Sequence, residues 1–145
     1  MSRTPVILDT MVLLRGLASK SPYADVLEKI KEQCNRICFT TSIAKEWASK
    51  ASATGISSYI LIRKLNDLKQ HKKLKKCNKT SIEKINKLMT KKRCRKPKDK
   101  RDRKILEAAL STEAILITED RGLLILNPYT CDKISIDIMR TEEYL

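Results

Sequence analysis

The stretch Asp102–Asp120, DRKILEAALSTEAILITED, opens and closes on a carboxylate. Ile105, Leu106, Ala108 and Ala109 recur at helical spacing, and Ala114–Ile117 is a short apolar run of strand character. The spacing therefore predicts a helix with Asp102 in its first turn. A strand follows that delivers Thr118, Glu119 and Asp120 at its C-terminal end. In open α/β sheets, ligands bind beyond the carboxyl ends of the strands. Near the start of the chain, Val6-Ile7-Leu8-Asp9-Thr10 ends in the same way, with an acid after an apolar strand. Parallel strands would bring both acids to one edge.

Working outward, short apolar strands alternate with helical patterns. Residues 5–10 read as a buried strand and Met11–Leu17 as a helix. Ser21-Pro22 has the form of an N-cap followed by proline at the first helical position, opening a helix to about Gln33. Ile37–Thr40 is a second strand, after which Thr41 or Ser42 caps a helix carrying Glu46 and Trp47 and ending near Gly55. Trp47 is expected in the core. Leu61, Leu65 and Leu68 mark a further helix, Lys72–Lys79 reads as a turn, and Thr80 with Glu83 has capping-box spacing before a helix with Ile82, Ile85, Leu88 and Met89 inward. Residues 56–98 thus read as a basic helical hairpin inserted in a single domain spanning 1–145. After Asp120 come a short helix at Arg121–Leu126, a turn at Asn127-Pro128 and a last half-buried strand at Ile134–Ile138. The alternation predicts an α/β fold of three layers, α/β/α, around a mostly parallel sheet of about four to five strands.

Composition narrows the function classes. A chain of 145 residues buries a sizeable core without staples, and with 4% aromatics that core must be aliphatic. The five cysteines, Cys34, Cys38, Cys77, Cys94 and Cys131, show no metal-site spacing, and the single histidine, His71, lies in a lysine run. Zinc is not expected. The thiols read as buried and free, as in a reducing compartment. No signal peptide or membrane span is evident, so a cytoplasmic protein without membrane contact is expected. The net charge of +14 is concentrated: residues 61–104 hold 20 Lys and Arg against 4 acids, and the remainder is close to neutral. Such an asymmetry suits a polyanionic partner. Lys72, Lys73, Lys75, Lys76, Lys91, Lys92, Arg93, Arg95 and Lys96 are the expected contacts to a nucleic-acid backbone.

Asp9, Glu46, Asp102 and Asp120 each follow an apolar strand or sit in the helix after one. Several carboxylates brought together repel one another, and burial raises their pKa values further. A divalent cation removes that conflict, and an all-oxygen set favours Mg²⁺ or Mn²⁺. A hard cation between acids and a basic surface fits a phosphodiester substrate. Asp99 reads as the N-cap of the Asp102 helix or as a neighbouring acid. Glu119 is the alternative to Asp120, since neighbours after a strand point to opposite sides. Thr118 and Thr10 offer hydroxyls that could orient water or a carboxylate. Glu46 could equally pair with Lys45 or Lys50 on its own helix.

VILDT at 6–10, TSIAKE at 41–46, DRKILEAAL at 102–110 and ILITED at 115–120 together resemble the PIN-domain ribonucleases, with VapC-like toxins of toxin–antitoxin pairs the closest familiar type. The resemblance covers about 1–50 and 99–145. It implies that Asp9, Glu46, Asp102 and Asp120 hold Mg²⁺ or Mn²⁺ for hydrolysis of RNA. It also implies an antitoxin partner and a homodimer. The chain departs from the family after the Thr-x-Asp, where Arg121-Gly122-Leu123-Leu124 supply no further acid. The alternatives are a catalytically inactive RNA-binding or assembly module of the same fold and a basic structural protein of an RNA particle.

Overall fold

The computed structural model describes residues 4–18, 22–33 and 35–145. Strand β1 (Thr4–Leu8) leads into α1 (Thr10–Ala18) and α2 (Pro22–Glu32), then β2 (Asn35–Phe39) and α3 (Thr41–Lys50). A 3₁₀ turn (Ser52–Thr54) connects to α4 (Ser58–Gln70), β3 (Leu74–Lys76) and α5 (Lys79–Lys91). The Asp102 helix is α6 (Lys100–Thr112), followed by β4 (Ile115–Ile117) and α7 (Arg121–Leu124). A C-terminal part holds β5 (Tyr129–Cys131), β6 (Ile134–Ile136), β7 (Ile138–Met139) and α8 (Thr141–Tyr144).

Five strands form the central sheet in the order β3-β2-β1-β4-β7, and every pairing is parallel. From β1 the chain steps one way to β2, whereas from β3 it crosses to β4 on the other side of β1. Right-handed crossovers in opposite directions place α1 and α2 on one face and α5 and α6 on the other. The strand order therefore reverses between β1 and β4, where α/β sheets open a crevice for ligands. The core is aliphatic: Val6, Ile7, Leu8, Leu13, Leu106 and Leu116 are all buried. Gly16 permits the contact of α1 with α2, since an added Cβ would meet Tyr23 O at 2.8 Å and Leu27 Cδ1 at 2.9 Å.

Several local expectations are corrected. Thr40, not Thr41 or Ser42, caps α3 by accepting from Ile43 N, and Asn78, not Thr80, caps α5 by accepting from Thr80 N and Ser81 N. In both cases a side chain one or two positions earlier already satisfies the first free N–H groups. Gly55 (φ 78°) ends the 3₁₀ turn rather than α3. Ser21 lies outside the described residues, so its capping role is not described.

The turn expected at 72–79 contains β3. Leu74, Lys75 and Lys76 pair with Ile37, Cys38 and Phe39, so residues 56–98 form helix, edge strand and helix rather than a helical hairpin. An edge strand needs only backbone pairing on one side, and its lysines discourage pairing with other chains. Residues 134–138 divide between two sheets: β6 pairs antiparallel with β5, and β7 lies parallel to β4. The cysteines are not all free. Cys94 and Cys131 form a disulfide that ties the segment after α5 to β5, whereas Cys38 and Cys77 are buried free thiols. Cys34 lies outside the described residues.

Candidate active site

Asp9 directly follows β1, and its N–H donates to Ile117 O of β4 at 2.9 Å. This bond fixes the end of β1 beside the end of β4. Thr118, fully buried, donates its hydroxyl to Asp9 Oδ2 at 2.7 Å. The same Thr118 Oγ1 accepts from Asp120 N at 3.0 Å. One hydroxyl thus joins the two strand ends. Asp120 also caps α7, accepting from Gly122 N at 3.2 Å. Asp102 comes from the first turn of α6, whose N-cap is Asp99, accepting from Arg101 N at 2.7 Å.

Electrostatics join the three acids. Burial raises the Asp9 carboxyl above its ordinary range, opposed by the Thr118 hydrogen bond and the Thr10 N–H, and reinforced by the charge of Asp120. Burial is also the first cause that pushes Asp102 up to about 7. A hydrogen bond with Asp120 comes next, then repulsion from Asp120, Asp99 and Asp9. Without a cation, burial and the neighbouring carboxylates therefore oppose ionisation of Asp102.

The other expected residues fall in different places. Glu119 accepts from Thr141 N at the start of α8 at 3.4 Å and lines one cavity with Asp9 and Asp120. Thr10 is buried, and its hydroxyl has no hydrogen-bond partner among the described residues. Glu46 stands with Oε1 4.0 Å from Arg101 Nη1. It lines a cavity of about 320 Å³ between α3 and α6 with Lys45, Lys50, Lys100, Arg101 and Lys104. Trp47 is in the core, its ring centroid 5.6 Å from that of Phe39.

Part of the expected basic set is engaged within the fold. Lys73 Nζ donates to Gln33 O at 2.6 Å, Lys92 pairs with Asp132 at 3.9 Å, and Arg95 donates to Leu126 O at 3.2 Å. Lys72, Lys75, Lys76, Lys91, Arg93 and Lys96 are exposed. Helices α5 and α6 pack antiparallel, with Asn86 Nδ2 donating to Glu107 Oε1 at 3.2 Å and Ser81 of the first turn of α5 lining one cavity with Ser111 and Thr112 at the end of α6. The cations that border Glu46 and the Asp102 helix are Lys45, Lys50, Lys100, Arg101 and Lys104. Their signal in the sequence was their spacing: Lys100, Arg101 and Lys104 flank Asp102 on one helix. Arg15 and Tyr23 were also missed. They share a cavity of about 260 Å³ with Asp9 and Asp120.

The donor set fits a hard cation: carboxylates and hydroxyls, with no imidazole or thiol beside them. Among the described residues, no three His, Cys, Asp or Glu side chains are grouped as a metal would hold them. A cation here would draw on one or two carboxylates with water and substrate oxygens, the usual Mg²⁺ arrangement. Also among the described residues, no helix is long and apolar enough to cross a membrane.

No curated protein sequence matches the chain. Among solved structures it is similar to VapBC2 from Rickettsia felis, crystallised bound to a DNA fragment from their promoter. That match has a TM-score of 0.58 at 12% identity and covers 94% of this chain and 98% of that one. The likeness is one of fold. The sequence profile of the PIN domain matches residues 5–122, which include β1 through the start of α7 and all four expected acids. The chain belongs to the PIN domain family, whose members are generally nucleases.

Proposed function

We propose that the chain is a divalent-metal-dependent endoribonuclease whose centre is built on Asp9, Asp102 and Asp120. The observation that carries this reading is the conflict among those acids at the strand-order reversal, where Asp102 is pushed up to about 7. A fold that gathers mutually repelling carboxylates at a crevice gains most when a cation occupies it. Bound Mg²⁺ or Mn²⁺ would supply Lewis-acid polarisation of a phosphoryl oxygen and an activated water. Thr118 holds the Asp9 carboxylate in place, and Asp120 and Asp102 supply oxygens from the facing elements. Glu46, held by Arg101, reaches the centre if substrate phosphate draws Arg101 away. The chain fits the toxin half of a toxin–antitoxin pair, with a protein antitoxin and a homodimer as partners. The fold shared with VapBC2 supports that placement.

The test is labelled RNA incubated with the protein plus Mn²⁺, plus Mg²⁺, and plus chelator. Cleavage is expected only with the cations, leaving 5′-phosphate ends. Equal cleavage under chelation would overturn the metal requirement.

The cleft between α3 and α6 is the proposed path of the flanking phosphates. Replacing Lys45 and Lys104 by Ala is expected to lower the slope of log affinity against log salt by roughly 1.4, at about 0.7 for each single-strand phosphate that is no longer neutralised. Filter binding at several salt concentrations reads this slope. An unchanged slope moves the RNA elsewhere.

A second reading, a non-catalytic RNA-binding module, draws on the lack of a further acid in Arg121-Gly122-Leu123-Leu124 and on the basic segment 61–104. It predicts RNA binding with no cleavage under any cation.

A further inference from the structure

Cys38 lies on β2 and Cys77 immediately after β3, two strands in parallel register. Cys38 is opposite Lys75, two residues before Cys77, so both thiols project from the same face. Cys77 N donates to Phe39 O at 2.7 Å, which holds the segments together. The two thiols are close enough that each shifts the titration of the other. Both line a cavity of about 400 Å³ with Arg36, Lys75, Ser81 and Thr112. At 3% and 7% exposure, they are reached mainly through that cavity.

We propose that Cys38 and Cys77 are a dithiol oxidised by small hydroperoxides entering this basic cavity. A thiolate is the nucleophile in such chemistry, and neighbouring cations favour it. The neighbouring Cys77 thiol brings the Cys38 thiol down to about 7, and Arg36 and Lys75 add to the effect against the cost of burial. The same proximity pushes Cys77 up, so the pair divides into an attacking thiolate and a protonated neighbour.

In the first step Cys38 Sγ attacks one peroxide oxygen. The S–O bond forms as the O–O bond breaks, sulfur loses two electrons, and the departing alkoxide or hydroxide takes a proton from water. The product is a sulfenic acid. In the second step Cys77 sulfur attacks Cys38 sulfur. The S–S bond forms, the S–O bond breaks, and hydroxide leaves with the Cys77 proton as water. The short edge strand β3 absorbs the shift that brings the sulfurs into bonding distance.

The Cys94–Cys131 disulfide takes two of the five cysteines, so Cys34 is the one to remove as a control. The experiment therefore uses full-length wild type and a Cys34→Ser background, treated with one equivalent of hydrogen peroxide and mapped by peptide mass. A linked Cys38–Cys77 peptide is expected in both. In Cys77→Ser, dimedone traps a sulfenic acid at Cys38, and in Cys38→Ser peroxide consumption slows by about tenfold or more. A bulky maleimide reagent is expected to label neither thiol at a comparable rate. Asp9→Asn leaves the reaction intact, which separates this site from the acid centre. Wild type in which both peptides stay reduced after peroxide treatment overturns the proposal, as does oxidation at Cys34 alone.

Discussion

Asp102→Asn is expected to reduce Mn²⁺-dependent RNA cleavage on the order of a thousandfold. Metal-based charge stabilisation contributes several kcal/mol to such transition states, and each 1.36 kcal/mol is tenfold in rate. The substitution removes one negative charge beside Asp120. Because RNA is itself a polyanion, losing an acid at its binding face weakens repulsion. Affinity for RNA in chelator should therefore hold or rise. The loss in kcat with binding retained is what separates a nuclease from a binding module. A binding module shows the same behaviour in affinity but no cleavage in either protein. Single-turnover cleavage and filter binding on the same preparations give the two numbers.

Glu119→Gln is the internal control for that experiment. Glu119 lines one cavity with Asp9 and Asp120, but one of its carboxylate oxygens is engaged by Thr141 N at the start of α8. A general electrostatic effect of removing an acid from the edge would appear in both variants. A ligand role appears only in Asp102→Asn, and equal cleavage by Asp102→Asn and wild type would remove Asp102 from the centre.

The parts of this centre that were legible in the sequence share one physical property. Asp9 and Asp120 each follow a continuous apolar run, and a buried parallel strand has few other ways to be written. The helix between Asp102 and Ala109 was set by an apolar stripe at helical spacing, and its N-cap Asp99 was among the readings offered. What stayed hidden depends on contacts between segments distant in sequence. Strand β3 contains only Leu74 as an apolar residue, so its pairing to β2 leaves no hydrophobic period to read. The break of 134–138 between two sheets leaves the local alternation unchanged. The Cys94–Cys131 link spans 37 residues and has no spacing signature. The same holds for Cys38 beside Cys77. Glu46 illustrates the limit for the site itself: its motif placed it on the right helix, but its partner, Arg101, comes from α6.

The metal-free protein is expected to lose thermal stability as pH rises from about 4 to about 7. The folded chain holds the Asp102 proton up to about 7, against an ordinary carboxyl value of 3.8. Across that interval the folded state binds more protons than the unfolded state, so stability falls with pH. The contribution is fully present below the unfolded value and is gone once pH has passed the folded value. Asp9, raised by burial, acts in the same sense. The charges that raise Asp102 are those of Asp120, Asp99 and Asp9; the nearby cations are Arg101, which pairs with Asp99, and Arg15, which lines the cavity of Asp9 and Asp120. Asp102→Asn removes one member of this set, and its melting temperature should vary less across the interval. Mn²⁺ reverses the trend, because a cation binds the deprotonated carboxylates and its effect grows as pH rises. At a hundred times its dissociation constant the cation adds about 2.7 kcal/mol. Melting curves at four or five pH values, with chelator and with Mn²⁺, therefore converge at low pH and diverge towards neutrality. Curves that run parallel in wild type, or a wild-type profile matching that of Asp102→Asn, would mean that the carboxylates do not repel one another in the folded chain. The case for a cation at the end of β1 and β4 would then be lost.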